Sequence, residues 1–306
     1  MQNDSENALH RPPHGASRTA PSRPAKRSPN PAVLQVGIAS DAVAEPASVE
    51  AAAAVFRRAA ADGLRVSIDR AGGDIVLSTA RLDRILEHEA GDLTATVEAG
   101  IRLSVLNQRL VEHGQMLALD PPGDPTVGAC LAGNLSGPRR LRYGEPRDLV
   151  LGVTLVLADG TIAHSGGKVV KNVAGYDLAK LFCGSHGMLG LVARASLRLH
   201  PRPDAARTLA VPAATAQEAA RIVRTVRRST LVPSADEVCG GRVALLFEGS
   251  ERAVEAQLAR ARALFGGEED DGSVWTQALP RAEPAQAPAA LIERIRSEFD
   301  PQGVLA

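Results

Sequence analysis

Between residues 47 and 115 the apolar positions switch repeatedly between helical and strand spacing, and each switch predicts a new element. "ASVEAAAAVFRRAAADG" carries small apolar residues at helical spacing and stops at Gly63, so it predicts a helix. "LRVSI" (64–68) and the start of "DIVLSTARLDRILEH" (74–88) predict two short strands, and the remainder of the second predicts a Ser/Thr cap and a short helix. "LTATVEAG" alternates as a strand does, and "RLSVLNQRLVEHG" repeats its leucines and valines every three or four positions as an amphipathic helix. The result is an alternating α and β pattern.

Downstream, "DPPGDPTVGACLAGNLSGPRRLRYGEPRD" is dense in Gly, Pro, Asn and Ser and reads as loop. "LVLGVTLVLADGTIAHSGG" predicts two strands joined at Asp159-Gly160, a strong hairpin signal, and "GMLGLVARASLRLHP" a last strand ended by Pro201. Residues 207–265 read as two strand–helix repeats: "TLAVPA" with "TAQEAARIVRTVRRS", then "RVALLFEG" with a serine-capped, glycine-stopped "SERAVEAQLARARALFGG". That order suits a ferredoxin-like sandwich. Past Gly267 the chain is acidic and then Pro/Ala-rich before a final helix, "PAALIERIRSEFD".

Composition narrows the class. Aromatics are 3% against 44% hydrophobic residues, so the core must be built from Ala, Val, Leu and Ile. A net charge of zero gives no argument for nucleic acid or an anionic membrane as partner. Cys130, Cys183 and Cys239 lie far apart without a CxxC pair, which argues against a disulfide framework or zinc site and fits a reducing, cytoplasmic setting. The first thirty-odd residues, rich in Pro, Ser and basic side chains, predict a disordered arm without the apolar core of a secretory signal. No stretch approaches the roughly 20 apolar residues of a membrane span, so membrane association is expected only through partners, at its inner face.

The candidate chemistry lies in two glycine-rich segments. "PTVGACLAGNLSG" combines Gly128 with Thr126, Asn134 and Ser136, and a helix opening near Ala129 would aim its amides at a phosphate; the bland alternative is a plain tight-turn loop. "GGKVVKNVAGYDLAKLFCGSHGMLGLV" holds three of the chain's four lysines, suiting an anionic or electron-rich ligand edge; the bland alternative is a solvated face. Neither a P-loop nor a strand-GxGxxG-helix unit with a downstream acid is present. Two such segments flanking a hairpin suggest one long ligand, phosphates at one end and a ring system at the other.

Residues from about Pro46 to Pro203 resemble the PCMH-type FAD-binding domain of the vanillyl-alcohol-oxidase family, most closely the FAD-binding subunits of bacterial glycolate oxidases. The resemblance rests on "LDPPGDPTVGACLAGNLSGPRRLRYGEPRDLVLGVTLVLADG", "GGKVVKNVAGYDLAKLFCGSHGMLGLVARASLRLHP" and the C-terminal "EFDPQGVL". It implies an α+β protein: an arm over 1–40, an FAD-binding domain of two α/β subdomains over 41–203, and a shortened ferredoxin-like cap with a C-terminal helix over 204–306. It implies FAD contacts at Pro122, Thr126, Val127 and Gly128, then Asn134, Ser136 and Gly137, then Arg142, Tyr143 and Gly144 of the "RYG" match. It further implies Lys171, Tyr176 and Asp177 of "KNVAGYDL", and Gly187, Gly190, Leu191 and Val192 of the closing segment. The implied activity is oxidation of a small 2-hydroxy acid with hydride transfer to flavin, beside a second flavoprotein subunit and an iron–sulfur subunit. The alternative is a degenerate assembly subunit that binds FAD weakly or not at all.

Two departures favour that alternative. Where the resemblance implies a longer glycine-rich pyrophosphate loop, only "DRAGG" joins the strands, and Gly72 and Gly73 read as a turn rather than a loop remnant. The cap and the C-terminal signature are also short. No catalytic constellation or metal-ligand spacing is visible; His186 and His200 read as structural or surface histidines, and Cys183 as a buried inert thiol.

Overall fold

The computed structural model describes residues 42–167, 178–277 and 289–306. Its first layer holds β1 (Ala42–Ala44), helix α1 (Val49–Asp62), β2 (Val66–Ile68) and β3 (Ile75–Leu77), with parallel strands in the order β1-β3-β2. Ser48 caps α1 by accepting from the Ala51 amide, and Gly63, at φ 67°, ends it by returning its amide to Ala59 and Ala60. The helix lays Ala52, Ala53, Phe56 and Ala59 on the sheet, so small side chains let it approach closely.

Only residues 69–74 connect β2 to its parallel neighbour β3, where such a pair ordinarily needs about a dozen. The connection is tied down locally. The Asp74 and Ile75 amides both reach the Arg65 carbonyl, and the Ser67 hydroxyl donates to the Arg70 carbonyl. Asp69 sits at φ 51° and accepts from both the amide (2.7 Å) and the hydroxyl (2.5 Å) of Thr79. A Cβ on Gly73 would fall 2.6 Å from the Ser67 nitrogen, so the two glycines make the turn read from the sequence.

The second layer comprises β4 (Ile85–Glu89), β5 (Thr94–Glu98), α2 (Leu103–Val111), β6 (Gln115–Met116), α3 (Val127–Gly133), α4 (Arg140–Tyr143), α5 (Pro146–Leu149), β7 (Val150–Val156), β8 (Ile162–Gly166), α6 (Leu178–Phe182), β9 (Leu191–Arg198) and β10 (His200–Pro201). Its antiparallel sheet runs β4-β5-β9-β7-β8, and Leu106, Leu110, Leu131, Leu155, Phe182 and Leu197 share its core. "ILEHE" corrects the sequence expectation: it is strand β4, not a helix. So short a helix would be marginal, whereas pairing with β5 satisfies its backbone, and Arg84 just before it grips the buried Glu98 carboxylate through Nε (3.0 Å) and Nη2 (2.8 Å).

The third layer holds β11 (Ala205–Pro212), α7 (Ala216–Arg228), β12 (Ala235–Cys239), β13 (Arg242–Gly249), α8 (Glu251–Phe265) and β14 (Glu268–Asp270). Its antiparallel order β12-β13-β11-β14, in a βαββαβ succession, is ferredoxin-like. The hydrophobic pattern found two of these four strands. It missed β12, "ADEVC", and β14, "EED", because charged edge strands carry little apolar periodicity.

After α9 (Ala289–Phe299) the chain returns to the first layer. Leu305 bridges parallel to Val66, whose amide donates to the Val304 carbonyl at 2.6 Å. The buried Asp300 carboxylate accepts the Val304 (2.7 Å) and Leu305 (2.8 Å) amides and so fixes the return. Asp300→Ala leaves both donors without an acceptor and is expected to cost about 3 kcal/mol of unfolding free energy, read by urea titration followed by circular dichroism.

Candidate cofactor site

The turn after α6 and the end of α3 are joined backbone to backbone. Gly184 donates to the Leu131 carbonyl at 3.0 Å and His186 to the Ala132 carbonyl at 2.8 Å. Asn134 ends α3 at φ 47°, while Gly184, His186 and Gly187 sit at φ 81°, 51° and 80°. A Cβ on Gly184 would touch only Asn134 Cβ, at 3.7 Å, and one on Gly187 only Ile68 Cδ1, at 3.5 Å. Among the described residues, then, little crowds this turn where its glycines face Asn134 and the end of β2. Ser185, within the turn, is buried, and its hydroxyl has no partner among the described residues, as expected of a group awaiting a polar ligand.

Other expected contacts serve the protein itself. Thr126 caps α3 by accepting from the Ala129 amide at 3.1 Å; the Val127 and Gly128 amides donate to Ile101 (2.9 Å) and Ala99 (2.6 Å). The first amides of this helix are thus used internally, and Gly128 is glycine because a Cβ would stand 2.9 Å from that of Ala99. Gly190, at φ 135°, passes the Val156 carbonyl, where a Cβ would be at 2.6 Å, and Leu191 and Val192 enter the two apolar cores. Lys171, Tyr176 and Asp177 lie outside the described residues.

Residues 136–144 face the ferredoxin-like sheet. Pro122, Ser136 and Gly137 line a cleft of about 1000 Å³ with Asp120, Arg139 and, from the turn that follows β14, Trp275. Arg139 donates to Glu248 Oε1 from Nε (3.1 Å) and Nη2 (2.5 Å), and Arg140 pairs with Glu237. Arg142 reaches the Glu248 carbonyl (2.8 Å) and Ser234 (3.2 Å), and Tyr143 donates to Glu248 Oε2 at 3.4 Å while its ring meets His200 edge-on. The "RYG" side chains therefore hold the sheet rather than project toward the glycine turn, and Gly144, at φ 85°, ends α4.

The electrostatics follow from this enclosure. Burial works against the Arg139 charge, but Glu248 overrides it and raises the pKa. Burial, aided by the Glu248 charge, raises the Tyr143 phenol, and burial with Arg198 and Arg142 lowers His200, favouring its neutral form. Burial pushes the Cys130 thiol up to about 12, leaving it inert at neutral pH. His186 is exposed and His200 half-buried. Among the described residues no group of His, Cys, Asp and Glu could hold a metal. Sequence reasoning missed Asp120, Arg139, Glu248 and Trp275; the run of arginines in "GPRRLRYG" was the available signal, but not its partners.

Residues 40–166 match the family model of the FAD binding domain, and this part of the chain is an FAD-binding domain of the PCMH type, with FAD as its cofactor. Among curated proteins the chain is similar to glycolate oxidase subunit GlcE of Escherichia coli, 36% identical over 63% of this chain and 55% of that one. It is also similar to glycolate oxidase subunit GlcD of Bacillus subtilis (35%; 58% of this chain, 38% of that one) and D-lactate dehydrogenase of Archaeoglobus fulgidus (37%; 58% and 40%). The chain thus spans between about a third and about half of these relatives. A solved alkyldihydroxyacetonephosphate synthase shares the fold at TM-score 0.64 and 19% identity, over 77% of this chain and 53% of that one. The buried Ser185 hydroxyl, without a partner among the described residues, fits such a cofactor; the internally paired amides of α3 do not add to its grip.

Asp120 provides a pH test. Burial raises its pKa, against the pull of the Arg139 amide and charge. The folded state then holds the proton more tightly than the unfolded state, so this contribution to stability falls as pH rises through the window just above the ordinary Asp value. Asp120→Asn is expected to flatten that component in urea titrations from pH 3 to 7, whereas Asp124→Asn, whose carboxyl is lowered by the Ser104 hydroxyl and amide, removes a component of opposite sign.

Proposed function

We propose that the chain is the FAD-binding subunit of a glycolate oxidase-like complex that oxidises a small 2-hydroxy acid. The similar proteins named for glycolate, D-lactate and D-2-hydroxyglutarate oxidation support this class of substrate. The observation that carries the reading is the turn at Gly184–Gly187, bonded to the end of α3 and holding the buried, unpartnered Ser185 hydroxyl, in a chain whose residues 40–166 match the FAD binding domain. Bound FAD supplies the hydride acceptor. Ser185 and the backbone of its turn would hold one part of the cofactor and Ser136 another, whereas the Asn134 side chain is already paired with Glu145 and the Arg147 amide. Electrons leave through an iron–sulfur subunit, since cysteine ligand spacing is missing from this chain, and a second flavoprotein subunit shares the work. The complex works in the cytoplasm or at the inner membrane face through those partners; no helix among the described residues is long and apolar enough to cross a membrane.

A second reading has one observation in its favour. The β2–β3 connection is six residues long, and Asp69 is turned onto Thr79 there, so the connection is closed on itself. In that reading the chain binds FAD weakly and serves assembly.

Visible absorbance separates the two. The first predicts that protein mixed with FAD and passed over a desalting column retains the oxidised-flavin band, and that glycolate or D-lactate bleaches it anaerobically once partner subunits are added. A protein that stays colourless at saturating FAD yet still assembles with those partners would establish the second.

A further inference from the structure

We propose that Glu248 is a positioning residue for the cofactor: from β13 it holds Ser136 and Gly137 where the cofactor meets them. The inference deepens the FAD-binding reading above and rests on it. Its starting point is an imbalance in how one buried charge is used. The Glu248 side chain has no exposed surface, yet the side-chain donors that its carboxylate receives, Arg139 and Tyr143, both come from the segment that follows Gly137. Its carbonyl takes a third donor from the same segment, Arg142.

Arg139 is held at both ends. Its amide donates to both carboxylate oxygens of Asp120 at 3.2 Å, and its guanidinium delivers two N–H groups to one oxygen of Glu248. Gly137, two residues earlier, is wedged on the same Asp120: a Cβ there would fall 1.8 Å from its carbonyl oxygen. Ser136 and Gly137 belong to no helix or strand; the Gly137 carbonyl accepts from the Arg140 amide (3.2 Å) and Nη1 (2.7 Å), and beyond that their place in the cleft wall depends on what grips Asp120 and Arg139. A hydrophobic pair could stabilise the same contact, but it would leave the direction of the Arg139 side chain unspecified, whereas a charged fork fixes it.

The geometry therefore makes a prediction that separates positioning from mere stability. Glu248→Gln strands the Arg139 charge and is expected to lower both stability and FAD affinity, the latter about tenfold. Arg139→Met/Glu248→Leu removes both charges. Urea titration should show its stability recovered toward the parent, while FAD affinity, read by flavin fluorescence, stays about tenfold weaker and the visible circular dichroism of bound flavin is altered. A double variant that regains parental affinity and the parental flavin spectrum overturns the inference, because the pair would then be only a strut. A parent that binds no FAD overturns the functional reading and this inference together. If Glu248→Gln fails to fold, the double variant still decides between the outcomes.

Discussion

A guanidinium and a carboxylate, Arg139 and Glu248, meet where the glycine-rich segment crosses the ferredoxin-like sheet, and Arg139 is part of the cleft wall beside that crossing. The carboxylate is fully enclosed and the guanidinium partly so. Breaking such a pair from one side costs about 3–5 kcal/mol, because the remaining charge has nowhere to go. The segment is thereby committed to the sheet, with Arg140–Glu237 and Arg142–Ser234 as supporting contacts on either side. Ser136 and Gly137, which line the cleft from the second layer, lie just before this crossing in the chain.

A second closure is made at the other end of the molecule. The last residues run from α9 back to β2, so the edge strand of the first layer is paired by the end of the chain. Arg70, in the short β2–β3 connection, donates to the Ala306 carbonyl at 2.7 Å, and Arg296 donates to that of Leu305 at 2.7 Å. Phe299 packs edge-on against Phe182 of α6, the helix that leads into the glycine turn. The terminus thus steadies two elements, β2 and α6, that flank the glycine turn.

The chemistry of the site is correspondingly modest on the protein's side. It offers backbone turns, a buried hydroxyl and paired charges, and its three cleft-lining arginines, Arg139, Arg140 and Arg207, each already face a carboxylate. Such a site suits holding a reactive cofactor rather than performing acid–base work by itself. That is the division of labour expected when the redox chemistry belongs to a flavin.

Local chemistry was legible from the sequence wherever one element could be decided by its own residues. Gly63 closed α1, Asp159-Gly160 marked the β7–β8 hairpin, the leucines of α2 announced its buried face, and the order of motifs pointed to the FAD-binding class. Tertiary structure decided what depends on partners distant along the chain. Residues 85–89 became a strand because β5 was available to pair, and the charged β12 and β14 formed because β13 and β11 offered edges. The amides of α3 went to Ala99 and Ile101, and the arginines of "RRLRY" to Glu248 and Glu237 about a hundred residues away. Periodicity and capping act over a few residues and are written in the chain, whereas the destination of a buried charge or an unpaired amide is settled only by which groups packing brings within reach.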